Sequence, residues 1–494
     1  MIPENRDLGW LTHAGRGSPW ERLRVAVIGG LGVSGFAAAD ALQHVGASVT
    51  VLDDATPGDP AGPDGAADRA TLLELLGVVV RTGPGATATL PRDTELVVTT
   101  PGLPPTTPVL ASAVASGVPV WGEVELAWRL RDPERPAPWL CVTGTNGKTT
   151  TVQMLAAMLA ADGLRTVAAG NVGLPMCEVV MDPEPYDVFA VELSSHQLYW
   201  MSSLSAEAAA VLNVAPDHIS WHGDLAAYRL AKSSIYEQCR IACVYNVDDP
   251  ITKEMVERAE VVEGCRAIGF TLGIPAVGML GIVDGVLADR AFIEGRQRNA
   301  AELARVTDVP TQAPHNVANA LAAAALGRAH GISGRAVRRA LQDFTLDRHR
   351  IADVATIDGV TYVDDSKATN PHAALASLVA FRHVVWIAGG LAKGATFDEL
   401  VAAAADRLRG AVLLGRDRGL IGEALSRHAP DVPVIEVPDT DTGVMERVVT
   451  AAASLARPGD TVLMAPACAS QDLFASYAAR GDAFAAAVES LRKR

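Results

Sequence analysis

The segment Trp139-Leu-Cys-Val-Thr-Gly-Thr-Asn-Gly-Lys-Thr-Thr150 constrains this chain more than any other stretch. A short apolar strand runs into a glycine turn, and then a lysine and hydroxyls open a helix whose Val152, Leu155, Ala156 and Leu159 repeat on one face. Such a turn aims backbone N–H groups and the positive end of a helix at anionic oxygens, so Gly144, Thr145, Asn146 and Gly147 read as a triphosphate cradle. Lys148 can reach the terminal phosphates, and the Thr149 hydroxyl, followed by Thr150, can ligate Mg²⁺. The glycines enclose only Thr145 and Asn146, fewer than the usual phosphate-binding loop has, which leaves a plain strand-to-helix turn with an exposed lysine as the alternative.

At 494 residues the chain is long for one core and suggests about three domains of roughly 150 residues each. It is 49% hydrophobic, and no apolar run approaches the ~18 residues of a membrane span. Glu4, Arg6 and Asp7 stand where a secretory signal would be apolar, so a soluble, cytoplasmic protein without membrane insertion is expected. The formal charge of −15 argues against a nucleic-acid surface. The six cysteines show no paired metal spacing: Cys239 and Cys243 sit at helical separation, and all six read as reduced thiols. With no obvious exposed apolar stripe, a monomer is expected.

The pattern is α/β throughout. Residues 1–20 lack periodicity and read as a loose extension. Val25–Ile28, the turn Gly30–Gly35, a helix and the strand Ser48–Leu52 ending on Asp53 form one βαβ unit of a Rossmann-like sheet, assigned to residues 21–132. Taken alone its glycines and acid suggest NAD, but any ligand with a pyrophosphate and a ribose suits the same geometry. The strand Leu96–Thr99 leads to a second turn, Thr100-Pro-Gly102. The proline-rich Asp132–Pro138 marks a boundary, after which a central domain, residues 133–346, carries the phosphate loop, parallel strands at Val188–Val191 and Ala209–Val214, and a hairpin through Asp284-Gly285. Residues 347–494 repeat the alternation, with strands at Tyr362–Asp364, Val384–Ile387, Ala411–Leu414, Val434–Val437 and Thr461–Met464, and predict a second Rossmann-like domain.

Glu192 ends an apolar strand beside the phosphate loop, where a carboxylate can hold Mg²⁺ or serve as a helix cap or surface acid. Ser194, Ser195 and His196 read as turn and capping residues. Asp217 and His218 should emerge on the same rim, whereas Lys232 is by itself an ordinary helical lysine. The amides of Asn316 and Asn319 suit an adenine edge, a phosphate or a helix cap. Three polar loops, Asp364–Asn370, Gly389–Lys393 and Ala465–Ser470, each follow a strand and look like a small-anion site.

Together these residues resemble the Mur ligase family, ATP-dependent amide-forming enzymes of peptidoglycan synthesis, over nearly the whole chain from Val25. The motifs are Gly144–Thr150, Glu192–Ser195, Asp217-His218, Lys232, His315–Asn319 and His349-Arg350, several of them shared with folylpolyglutamate synthetases. Asp365–Asn370, Ser470-Gln-Asp-Leu-Phe and Arg480-Gly481 are similar to the branch that adds D-glutamate. The resemblance implies that Val33, Ser34, Asp53, Asp54, Thr100 and Gly102 line a uridine diphosphate site, with Asn171 at the sugar–lactoyl part of UDP-N-acetylmuramoyl-L-alanine. It also implies ATP phosphates on Lys148 and Thr149, two Mg²⁺ ions held with Thr149, Glu192 and His218, a CO₂-derived carbamate on Lys232, and Asn319, Arg350 and Asp365 on ATP. Thr369, Lys393, Ser470 and Tyr477 would grip D-glutamate. The catalytic set is then Lys148, His218 and Lys232. Asp54, Leu391, Tyr477 and the N-terminal extension depart from the family's usual pattern.

Overall fold

The computed structural model describes residues 8–58, 65–438, 441 and 443–493. Three sheets carry the chain. The first is parallel, in the order Val79–Thr82, Ser48–Asp53, Arg24–Ile28, Leu96–Thr99, Val120–Gly122. Its two central strands are almost wholly apolar because helices cover both faces. Gly30 and Gly35 let the turn and helix close on the sheet: a Cβ at Gly35 would lie 2.4 Å from the Gly29 carbonyl oxygen.

The second sheet has nine strands, in the order Ala301–Arg305, Val286–Asp289, Met279–Val283, Arg266–Phe270, Ala242–Asn246, Ala208–Val211, Trp139–Thr143, Val188–Glu192, Thr166–Gly170. The last seven run parallel, and the hairpin expected through Asp284-Gly285 forms with Ala301–Arg305 an antiparallel annex at one edge. These two sheets belong to one compact unit, residues 8–308 and 318–343 as far as they are described, and share one core. Trp128 meets Trp139 edge to face at 5.0 Å, and buried Glu125 accepts the Ser202 and Ser203 backbone N–H groups at 2.9 and 3.1 Å.

One expectation is corrected. Of the segment read as loose, residues 1–7 lie outside the described residues, but residues 8–20 pack. Gly9–His13 is a short 3₁₀ helix, Leu11 and Trp20 are buried, and Arg129 Nη1 donates to the Leu11 carbonyl at 2.8 Å. Trp20 stands edge to face with both Trp10 and Trp121. Aromatic area buried against a sheet outweighs the turn-forming composition that suggested a tail.

The third sheet lies in the other unit, residues 309–317 and 344–493, in the order Ala352–Ile357, Val360–Asp364, Thr461–Met464, Val384–Gly389, Leu408–Leu414, Val434–Val437. Only its first strand is antiparallel, so the loops after the next three strands share one edge. Apolar cores lie on the two faces of this sheet.

Candidate active site

Because the strands ending at Thr143, Glu192, Val211 and Asn246 are parallel, their following loops form one rim. Gly147 caps the helix Lys148–Ala161 at φ 84°, and a Cβ there would lie 2.4 Å from Asn319 Oδ1. That contact places Asn319 against the phosphate loop. Asn213 clamps the loop from the next strand, accepting the Asn146 N–H at 2.9 Å and donating to the Asn146 carbonyl at 3.0 Å. Thr145 Oγ1 lies 2.9 Å from Tyr228 Oη and accepts the Ala215 N–H at 2.9 Å. Lys148 Nζ donates to the Gly144 and Thr145 carbonyls at 2.8 and 3.0 Å, while Thr149 is partly exposed on the first helical turn.

Lys232, an unremarkable helical lysine by spacing, is 1% exposed. Its Nζ donates to the Gly144 carbonyl at 2.9 Å and to Thr143 Oγ1 at 3.5 Å, 4.8 Å from the Tyr228 ring centre. Burial, and then the Lys148 charge, drive its pKa well below the usual lysine range. Glu192 is also buried. Its Oε1 accepts the Asn171 side-chain N–H at 2.8 Å, while Oε2 has no hydrogen-bond partner among the described residues. A carboxylate oxygen left bare in the interior is costly unless a cation meets it. Asn171 therefore braces Glu192 in addition to any role toward the sugar.

Asp217 is partly exposed and His218 half-exposed; His218 adopts φ 53° with Nε2 3.7 Å from Asp217 Oδ2. Around it lies a ring cluster that the residue pattern did not disclose. His196 packs 4.6 Å from both His218 and Trp221, and His222 lies 5.4 Å from Tyr228 while its Nε2 meets Ser195 Oγ at 3.0 Å. Burial, reinforced by neighbouring cations, depresses His196 to about 3 and His222 to about 4. Ser194 is the helix cap it was read as, paired with Gln197 in a capping box. The aromatic run Tyr199, Trp200, Trp221 and His222 was the available signal for the cluster.

On the first sheet, both Asp53 oxygens engage backbone N–H groups, Oδ2 that of Leu31 and Oδ1 that of Ala55, each at 2.9 Å. Asp53 thus fixes the glycine turn from which Val33 and Ser34 project at the helix N-terminus. Asp54 is exposed, accepts from Thr87 N and Oγ1 at 2.9 and 2.6 Å, and is held below the usual carboxylate range by those bonds. Thr100 packs on Gly29, where a Cβ would lie 2.5 Å from its Oγ1, and Gly102 is exposed two residues on.

In the C-terminal unit the three polar loops are pinned from behind by Arg480, which is 1% exposed. Its guanidinium donates to Ser366 Oγ at 3.0 Å and to the carbonyls of Ser366 and Cys468 at 2.9 and 3.1 Å. Backbone bonds between Leu391 and Ala469 tie the Lys393 loop to the Ser470 loop. Lys393 is exposed at φ 50°, Thr369 is partly exposed, and Ser470 is buried with an Oγ lacking any partner among the described residues. Tyr477 opens the last helix with Lys367 Nζ 3.9 Å from its ring centre. Asp365 accepts from Ile351 N at 3.3 Å and from Ser377 Oγ, and burial pushes it up to about 7. His315 is depressed to about 4 by burial, with some contribution from the Arg350 charge.

All six cysteines are free thiols, as read, but the helical placement of Cys239 and Cys243 is corrected. Cys239 precedes the strand Ala242–Asn246, Cys243 lies in it, and neither shares a helix. Their sulfurs and that of Cys265 lie within 4.8 Å of one another.

Comparison with known proteins agrees with this geometry. Residues 24–122 match a family model described as "Mur ligase MurD-like, N-terminal domain", residues 142–327 the "Mur ligase middle domain" and residues 349–468 the "Mur ligase, glutamate ligase domain". The chain is 61% identical over 466 residues to the UDP-N-acetylmuramoylalanine--D-glutamate ligase of Streptomyces coelicolor, covering 94% of this chain and 97% of that one. The protein of the same name from Streptomyces avermitilis is 61% identical over 472 residues, covering 96% and 99%. A pseudomurein peptide ligase type C from Methanothermus fervidus shares the fold, with a TM-score of 0.58 at 16% identity over 95% of this chain and 100% of that one. On these matches the chain belongs to the Mur ligase family.

Proposed function

We propose that the protein joins D-glutamate to UDP-N-acetylmuramoyl-L-alanine at the expense of ATP, a cytoplasmic step of peptidoglycan synthesis. The observation that carries this reading is the 61% identity, over 94% of the chain, to a relative named for that reaction. The L-alanine carboxylate attacks the γ-phosphorus, the bond to the ADP oxygen breaks, and an acyl phosphate forms. The D-glutamate amine then attacks the acyl carbon, phosphate leaves, and the amine loses a proton to solvent or a nearby base.

Both reactants of the first step are anionic, so fixed positive charge is the main catalytic demand. Lys148 supplies it together with the positive N-terminus of the helix Lys148–Ala161, while the Thr145 and Asn146 N–H groups, bonded to Asn213, hold the loop in shape. Thr149, Glu192 and His218 are the residues we assign to Mg²⁺, and the bare Glu192 Oε2 fits that assignment. Bound there, Mg²⁺ would neutralise phosphate charge. A neutral, buried Lys232 amine has the lone pair needed to add CO₂, giving a carbamate and releasing one proton; the product is an anionic oxygen donor where a cation would repel metal.

We assign Asn319, Arg350 and Asp365 to ATP, Val33, Ser34, Asp53, Asp54, Thr100, Gly102 and Asn171 to the UDP substrate, and Thr369, Lys393, Ser470 and Tyr477 to the D-glutamate carboxylates. An amino-acid screen for phosphate release tests the assignment. Release should require ATP, UDP-N-acetylmuramoyl-L-alanine and D-glutamate together. Equal release with a diamino acid, or NADH formation by the first sheet's glycine turn, would move the protein elsewhere.

A further inference from the structure

The rim opposite the phosphate loop holds a feature that the ligase reaction does not use. Cys243 is the second residue of the strand Ala242–Asn246, and Cys265 immediately precedes its parallel neighbour Arg266–Phe270. Cys243 pairs in register with Ala267. Since alternate residues of a strand share a face, Cys265 projects on the same face as Ala267 and hence beside Cys243. The two sulfurs stand 3.8 Å apart. Cys239 joins them from the loop before the strand, its N–H bonded to the Tyr236 carbonyl and its carbonyl accepting from Val262. Val262 also accepts the Cys265 N–H, across a turn with Gly264 at φ 92°. A side chain with Cβ at Gly264 would strain that turn and displace Cys265.

We infer that Cys239, Cys243 and Cys265 form a three-thiolate site for a thiophilic d¹⁰ cation of the zinc class. Metal–sulfur bonds of about 2.3 Å require sulfurs roughly 3.8–4.0 Å apart around the ion, trigonal or tetrahedral. The Cys243–Cys265 separation of 3.8 Å already meets this, and no pair in the group exceeds 4.8 Å. Cys239 and Cys243 are buried while Cys265 is partly exposed, which gives the ion an entry side and leaves a fourth position for water. Binding would release the thiol protons to solvent. The site clips adjacent parallel strands and the loop preceding one of them, on the side of the sheet away from Lys148 and Glu192.

The test uses the full chain, reduced and stripped with a chelator, titrated with Cd²⁺ and followed by the ultraviolet thiolate-to-cadmium charge-transfer band. Histidine and carboxylate sites do not give that band, so metal at the nucleotide rim is not counted. The band should saturate at one equivalent, Zn²⁺ should compete for it, and Zn²⁺ should raise the Tm. Cys265→Ser, at the most exposed of the three, should weaken binding by more than the roughly 10–100-fold that loss of a supporting contact costs. Cys468→Ser, in the other unit, should leave it unchanged. No band, a band that survives Cys265→Ser, or a Cys243–Cys265 disulfide that persists under reduction and blocks Cd²⁺ would overturn the site.

Discussion

The phosphate-loop rim and the polar edge of the C-terminal sheet invite comparison, because both are loop sets at strand ends yet they are built oppositely. At the first, two of the side chains assigned to chemistry, Lys232 and Glu192, are buried and Lys148 is bonded to its own loop, while His218 stands half-exposed at the edge. At the second, buried Arg480 is scaffold, and of the side chains assigned to D-glutamate Lys393 is exposed, Thr369 and Tyr477 are partly exposed and Ser470 is buried. Fixed charges in a low dielectric suit phosphoryl transfer, where preorganisation lowers the barrier. Exposed arms over a rigid backbone suit capture of a small dianion that must enter from water.

If this contrast is right, the largest loss follows removal of a charge from the first rim. Lys148→Ala should lower kcat by about 10²–10³-fold or more, the range for deleting one electrostatic stabiliser, with little change in Tm. Phosphate-release kinetics and a thermal melt check it together. A rise confined to KM would place Lys148 in uniform substrate binding instead.

Lys232→Ala should cost a similar order, about 10²–10³-fold. Added acetate or another short carboxylate should restore part of the rate, since the missing group is an anionic oxygen. An unrescued variant that works as well as the parent removes the carbamate from the account.

Arg480→Ala sharpens the other half of the comparison. Acceptors at Ser366 and Cys468 lose their donor, costing on the order of 1–3 kcal/mol. The expected signature is a lower Tm and a raised KM for D-glutamate, with the KM for ATP less affected. Equal rises in both would show that the loops are not separately pinned.

A smaller effect is expected at Asp365. Burial raises its pKa to about 7, above the roughly 3.9 of an unfolded aspartate, so the folded chain holds the extra proton between those values. Its stabilising contribution is present below about pH 4 and is lost as pH rises through about 7. Asp365→Asn cannot ionise and should gain on the parent from about pH 5 to about pH 8, by about 2–4 °C per kcal/mol in Tm. Melting curves across that range would contradict this if the gap stayed constant.

Much of this architecture was legible in the residues. Glycine turns after apolar strands disclosed the first sheet and the phosphate loop, and Asp284-Gly285 disclosed the annex hairpin, because these signals are local. What escaped depends on distant pairing. Edge strands such as Val79–Thr82 and Thr166–Gly170 lack a continuous apolar run. The packing of Trp20 on Trp121 and the clamp of Asn213 on Asn146 join segments far apart in the chain. Lys232 looked ordinary until its helix was seen to bury it against Gly144, and the thiol cluster required knowing which strand lies beside Ala242–Asn246. Spacing finds motifs within a segment; a buried amine or a sulfur triangle is a property of the fold.

The central claim is that the loop around Gly144 and Lys148 phosphorylates a carboxylate. Hydroxylamine, added with ATP and UDP-N-acetylmuramoyl-L-alanine but without D-glutamate, tests it most directly by converting an acyl phosphate to a stable hydroxamate. The account predicts hydroxamate that depends on both substrates and disappears in Lys148→Ala. Phosphate released with no hydroxamate, or hydroxamate undiminished in that variant, would contradict it.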